Sequence, residues 1–165
     1  MVPNLQEQPN VLRCLNAVRA YCALLEAPGP ESQRWMRATL AILADIYAYS
    51  HSLPPQQVEE KLYELFRPLR IDQGEWRDVY DELDHLLGSS SAYWGFVACT
   101  GQEELHEGQN ADLCDLTKDL TDIYRQLKTG LRAWDSEEED LRRAAVKAWS
   151  PEALEIDLES PRSWG

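Results

Sequence analysis

Residues 112–131 read DLCDLTKDLTDIYRQLKTGL, and the phase of their side chains decides the kind of fold. At about 100° per residue, Leu113, Leu116, Leu120, Ile123, Leu127, Leu131 and Trp134 fall within an arc of about 80° on a helix. An apolar arc sustained that long predicts one amphipathic helix over 111–134. Asp112, Asp115, Asp119 and Asp122 are spaced 3, 4 and 3. They form a second stripe about 80° wide, centred about 100° from the apolar one, along the edge of the core face.

Four aligned carboxylates can hold a metal, face a basic partner or lie in water. Asp112 and Asp115 belong to the predicted first turn, where the helix dipole favours acids by roughly 0.3–1 kcal/mol. Asp119 and Asp122 lie too far in for that. Like charges so close repel by a few tenths of a kcal/mol per pair, and an arginine from a neighbouring helix is the simplest expected offset. A solvated face and a ligand or metal role are the alternatives.

Outward from this helix, nearly every segment has helical spacing. Val11, Cys14, Leu15, Val18, Tyr21, Cys22 and Leu25 predict a helix opened by Asn10 as N-cap and broken by APGPE at 27–31. A second helix is expected over 31–50. Pro55 is placed to open a third carrying Val58, Leu62, Leu65 and Phe66. In DQGEWRDVYDELDHLLG, Asp72 and Glu75 have capping-box spacing, and Gly88 is placed as the C′ residue. SSSAYWGFVACTG reads as either a short helix or an extended piece. Ser136 and Glu139 predict another capping box for a helix near 137–149, and Pro151 a restart running to about 159. No segment alternates with period 2 for long. The expected fold is an all-α, single-domain helical bundle of six to eight helices spanning 1–165. Leu43-Ala-Asp-Ile-Tyr47 and Leu120-Thr-Asp-Ile-Tyr124 share an LxDIY pattern, an echo that short segments also produce by chance.

The 29 acidic against 16 basic residues give a net charge of −13. Such a charge opposes phosphate backbones and anionic membrane surfaces, so nucleic acid and membrane are not expected partners, and a basic protein is. The four cysteines, Cys14, Cys22, Cys99 and Cys114, include no CxxC pair. Cys14 and Cys22 lie about 12 Å apart on one helix, too far for a disulfide. A reduced, cytoplasmic protein is expected. The N-terminal ten residues lack the basic and apolar regions of a signal peptide, and no apolar run approaches membrane-spanning length.

Motifs for catalysis are sparse. There is no phosphate-binding glycine loop, GxSxG, HExxH or dinucleotide turn, so neither a catalytic residue nor a cofactor is assigned. The nearest approach is EELHE at 103–107, followed by Asp119-Leu-Thr-Asp122. All-helical nucleotide pyrophosphohydrolases of the MazG type carry EExxE and then ExxD on successive helices, where the carboxylates hold Mg²⁺ against a triphosphate. Glu103, Glu104, Glu107, Asp119 and Asp122 are therefore the candidate metal ligands of that alternative. Against it, EELHE lies between Gly101 and Gly108 with Leu105 as its only apolar residue, and Asp stands where the second motif has Glu. His51, His85 and His106 have no second histidine at ligand spacing. Cys114 is expected to be an ordinary thiol, because the surrounding aspartates oppose a thiolate. Tyr93, Trp94, Phe96, Trp134, Trp149 and Trp164 concentrate large aromatics in the second half. Tyr93 and Trp94 with Asp112, Asp115, Asp119 and Asp122 make the candidate interaction surface, since aromatics beside acids suit a basic partner.

The run from Leu87-Gly88 through Tyr93-Trp94 to Asp119-Leu-Thr-Asp-Ile-Tyr-Arg-Gln-Leu-Lys-Thr-Gly-Leu131 resembles the bacterial domain-of-unknown-function family 5063. Its signature is a DLxDIYxxLKxGL-like helix. The Tyr21-Cys22 and Leu25-Glu26 pairs and the final Trp164-Gly165 are similar to that family too. The resemblance implies an all-helical, acidic, cytoplasmic protein and supplies no activity, substrate or catalytic residue. In that family a leucine- and alanine-rich helix follows the Trp-Gly pair, so the C-terminal end reads as truncated relative to the family. The function expected is a non-catalytic acidic interaction module of adaptor or immunity type. The alternative is a Mg²⁺-dependent nucleotide pyrophosphohydrolase.

Overall fold

The computed structural model describes residues 4–58, 61–96 and 111–153. Over these the chain forms α1 (Pro9–Glu26), α2 (Ser32–Ser50), α3 (Leu62–Phe66), α4 (Gln73–Leu87), β1 (Ala92–Phe96), β2 (Ala111–Asp115), α5 (Leu116–Asp135) and α6 (Glu139–Ala148). Turns of 3-10 helix lie at Leu5–Glu7, Arg67–Leu69 and Gly88–Ser91. Residues 151–153 are again helical, as Pro151 suggested. The class is mainly all-α, with a two-stranded sheet that helical periodicity did not reveal.

The long helix begins later than its apolar phase implied. Residues 111–115 form β2, antiparallel to β1, in a register that pairs Ala92 with Asp115, Tyr93 with Cys114 and Trp94 with Leu113. Leu113, expected on the core face, is 65% exposed. SSSAYWGFVACTG thus resolves, over 92–96, into the extended alternative. The aspartate stripe is cut in two: Asp112 lies in β2, and only Asp119 and Asp122 lie within α5.

The helix that remains is the centre of the molecule. It packs against α1, α4 and α6, so its buried positions spread well beyond the leucine arc, from Thr117, Thr121 and Tyr124 round to Thr129, Gly130 and Ala133. Two of the buried threonine hydroxyls turn back to their own helix, whereas that of Thr117 has no partner among the described residues. Thr121 donates to the Thr117 carbonyl at 2.8 Å and Thr129 to the Arg125 carbonyl at 2.7 Å. α1 is joined to α5 by the Tyr21 hydroxyl, which donates to the Leu120 carbonyl at 2.8 Å. α6 closes on α5 where Gly130 lets the Trp149 indole lie against its backbone.

Several ends follow the expected chemistry. Asp72 accepts from the Glu75 amide at 2.9 Å, and Glu75 accepts from the Asp72 amide at 3.1 Å, so the capping box at α4 is complete. Gly88 takes a positive φ of 51° at its end. Other ends differ. α1 is opened by Pro9 at N1 after Gln8, which leaves Asn10 inside the helix; the fixed φ of proline suits N1 better than its neighbour suits the cap. α3 starts at Leu62, since Pro55–Val58 is not helical. The capping box of Ser136 and Glu139 does not form, because the Ser136 hydroxyl donates to the Ala133 carbonyl at 2.7 Å and so closes α5 instead. The turn is completed by Glu137 at φ 66°, and α6 begins after Glu138. The LxDIY echo carries no matching environment: Leu120 and Tyr124 are buried, whereas Tyr47 is exposed and Leu43 half-buried.

Candidate functional site

The edge where α4, the sheet and the start of α5 meet carries the described candidate residues. Asp115 is the last residue of β2 and the N-cap of α5, its Oδ1 accepting from the Thr117 amide at 2.9 Å and the Lys118 amide at 3.3 Å. Its Oδ2 accepts from the Tyr80 hydroxyl of α4 at 2.7 Å. One turn on, Asp119 Oδ2 accepts from the Tyr93 hydroxyl of β1 at 2.5 Å. Asp122 pairs with Lys118 of its own helix at 2.6 Å.

These partners correct the expectation of an arginine reaching in from a neighbouring helix. Asp119 is met by a tyrosine and Asp122 by a lysine one turn back. Asp115 gains from the helix N-terminus as expected, but from the cap position. The long-range ion pairs of α5 have the opposite polarity. Lys128 pairs with Glu26 of α1, Arg132 with Glu75 of α4, and Asp135 alone pairs outward with Arg19.

A hydroxyl that donates to a carboxylate resists ionisation. The bond to Asp115, then burial, pushes the Tyr80 phenol up to about 12. The bond to Asp119, then burial, raises Tyr93 from its ordinary value, with Cys114 adding to the effect. Each tyrosine holds one carboxylate oxygen in place without supplying a positive charge. Trp76 stacks on Tyr80 at 5.1 Å between centroids, and the Arg125 guanidinium lies 5.1 Å from the Trp76 ring.

The side chains of Trp94 and Asp112 lie outside what is described; their backbone register places Trp94 opposite Leu113 and Asp112 opposite Gly95. Glu103, Glu104 and Glu107 lie outside the described residues altogether. Among the described residues no three His, Cys, Asp or Glu side chains converge as a metal site requires. Cys114, expected in a first helical turn, sits half-buried in β2, while burial raises the Cys14 and Cys22 thiols to about 12. Sequence reasoning overlooked Tyr80 and the outer face of α4. Five acids among the fifteen residues of that helix, against Arg77 alone, were the available signal. Asp78, Asp81, Glu82 and Asp84 are exposed there.

Two open recesses lie elsewhere. One, of about 350 Å³, is bounded by Leu12, Arg19, Trp134, Asp135 and Arg142; the other, of about 510 Å³, by Leu69, Lys128, Leu131 and Arg132. Their cations are already engaged, Arg19, Lys128 and Arg132 with carboxylates and Arg142 with the Trp134 carbonyl at 3.2 Å. Among the described residues no helix is long and apolar enough to cross a membrane.

Residues 6–152 match the family model of a domain of unknown function, DUF5063. No match was found among curated proteins. The fold is shared with the crystal structure of protein BF1032 from Bacteroides fragilis, at a TM-score of 0.67 and 17% identity, over 88% of this chain and 84% of that one. At that identity the likeness concerns the fold alone.

Proposed function

The chain belongs to the domain-of-unknown-function family DUF5063, and from that premise we propose that it is a non-catalytic interaction module whose acidic α4–α5 edge binds a basic protein. The observation that carries this reading is the way the edge is built. Asp115 and Asp119 are each held by a tyrosine hydroxyl, which orients the carboxylate without supplying a positive charge, though Asp115 also caps the N-terminus of α5. Asp81 and Asp84 of α4 lie close enough to Tyr80 to act on its hydroxyl, and Asp78 and Glu82 are exposed elsewhere on the same helix. Tyr93 is 41% exposed and adjoins Asp119 through its hydroxyl. Leu113, 65% exposed, is in register with Trp94 and so belongs to the other face of the two-stranded sheet. Acids beside an exposed aromatic side chain suit the lysines and arginines of a basic partner and speed their encounter.

The test is capture from the native host extract with the intact chain at low and high salt. One basic protein is expected at low salt, weakened by salt and lost in an Asp81→Asn, Asp84→Asn, Asp119→Asn triple variant. Absence of any partner at both salts, or capture indifferent to the substitutions, refutes the reading. A thermal-shift series with Mg²⁺ and nucleoside triphosphates separates the hydrolase alternative, because a ligand at 100 times its dissociation constant stabilises by about 2.7 kcal/mol.

A further inference from the structure

We infer that the outer face of α2 is a homodimer interface in which two copies of the chain pair their α2 helices antiparallel. α2 buries Trp35, Thr39, Ile46 and Ser50 against the rest of the molecule. Its opposite face carries Gln33, Arg37, Leu40, Ala44, Tyr47 and His51, all exposed and spaced 4, 3, 4, 3 and 4. That is the spacing of a coiled-coil seam, with its two largest apolar members in water: Leu40 is 60% and Tyr47 68% exposed.

The occupant follows from self-complementarity and charge. A two-fold axis level with residue 42 sets Leu40 of one copy on Ala44 of the other, large against small, and Arg37 on the Tyr47 ring. The same register leaves Arg37 of one copy and Asp45 of the other on the same flank, about 3 Å apart along the axis at 1.5 Å per residue, within reach of an ion pair. Among the described residues, neither makes an ion pair within the chain. Charge also selects this helix. α2 has two arginines against one aspartate, whereas the chain as a whole is at −13. Two copies therefore meet at α2 with little of the repulsion that the α4 edge would impose. This inference is independent of the acidic edge, which stays open in such a dimer.

Sedimentation of the intact chain from micromolar to millimolar loading tests it. The weight-average mass is expected to rise from 18.9 kDa toward twice that value. Leu40→Asp is expected to weaken association by at least about tenfold, which corresponds to about 1.4 kcal/mol. Arg37→Glu and Asp45→Arg should each weaken it, and the two together should restore it, a rescue that general surface damage would not give. A single-chain mass at every loading overturns the proposal. So does a dimer indifferent to Leu40→Asp, or a charge swap that fails to restore pairing.

Discussion

At position 130 the missing methyl group is what lets two helices meet. A Cβ there would lie 2.5 Å from the Trp149 Nε1 and 3.0 Å from its Cε2. That indole is fully buried, so it cannot swing aside as a surface side chain could. Alanine is the better helix former by roughly 0.8–1.0 kcal/mol. Overpacking a buried site costs about 1–3 kcal/mol, and here the overlap is with a rigid ring, so overpacking wins. Gly130→Ala is expected to lower the free energy of unfolding by about 1–2 kcal/mol net, read as a drop in urea midpoint at unchanged slope. A midpoint equal to or above wild type would show that α6 can retreat from α5 at no cost. Gly130 falls within the DIYxxLKxGL signature quoted from the sequence, and its role there becomes physical: it is the place where Trp149 docks.

At the scale of an element, the start of α5 depends on one carboxylate with two duties. Asp115 satisfies the Thr117 and Lys118 amides and accepts from Tyr80. Asp115→Ala removes the cap, at roughly 0.5–2 kcal/mol, and also strands the Tyr80 hydroxyl, so a loss near the upper end, about 2 kcal/mol, is expected in chemical denaturation. Asp115→Asn keeps an oxygen acceptor at the same place and should recover most of it. Equal losses for both would mean that the charge, not the acceptor geometry, does the capping. This boundary was hard to see in the sequence. Leu113 is in phase with Leu116 and Leu120 by coincidence, and neither Asp112 nor Asp115 has the Glu or Gln three residues on that would mark a capping box. The choice was settled by pairing with β1, a contact across residues 97–110 that no local pattern reports. By contrast α2 and α4 were legible almost to the residue, since their ends are set by neighbours in sequence: Asp72 with Glu75, Gly88, the Ala27–Glu31 break. The candidate site was legible in part. Asp119 and Tyr93 were named, but that they would touch, and that Tyr80 would hold Asp115, required the sheet.

Over the whole molecule, charge is arranged so that cations on α5 are spent on tying α1 and α4 to it, through Lys128 with Glu26 and Arg132 with Glu75. Two of the acids at the outer edge, Asp115 and Asp119, are held by phenols. This makes stability depend on pH from both sides. The bond from Arg132, then that from the Asp72 amide, lowers the Glu75 carboxyl below its ordinary value. Its contribution is therefore present above the unfolded value near 4.3 and is lost as pH falls through the folded one. The phenols act in the opposite sense. Tyr80 is raised to about 12, mainly by Asp115, and Tyr93 is raised mainly by Asp119. Burial, then the bond to Glu26, raises Tyr124. For each the folded value exceeds the unfolded one near 10, so the stabilisation is complete below about pH 10 and declines as pH rises toward the folded value. Cys14 and Cys22, raised by burial to about 12, begin the same decline from about pH 8.5, where an unfolded thiol ionises. Under reducing conditions the free energy of unfolding is thus expected to be level from about pH 6 to 8 and to fall steadily above pH 9. The decline should be shallower in a Tyr80→Phe, Tyr93→Phe variant, because two of the protons released on alkaline unfolding are then gone. If stability stays level through pH 11, or if the double variant falls as steeply as wild type, the tyrosine–aspartate pairs do not hold the acidic edge together.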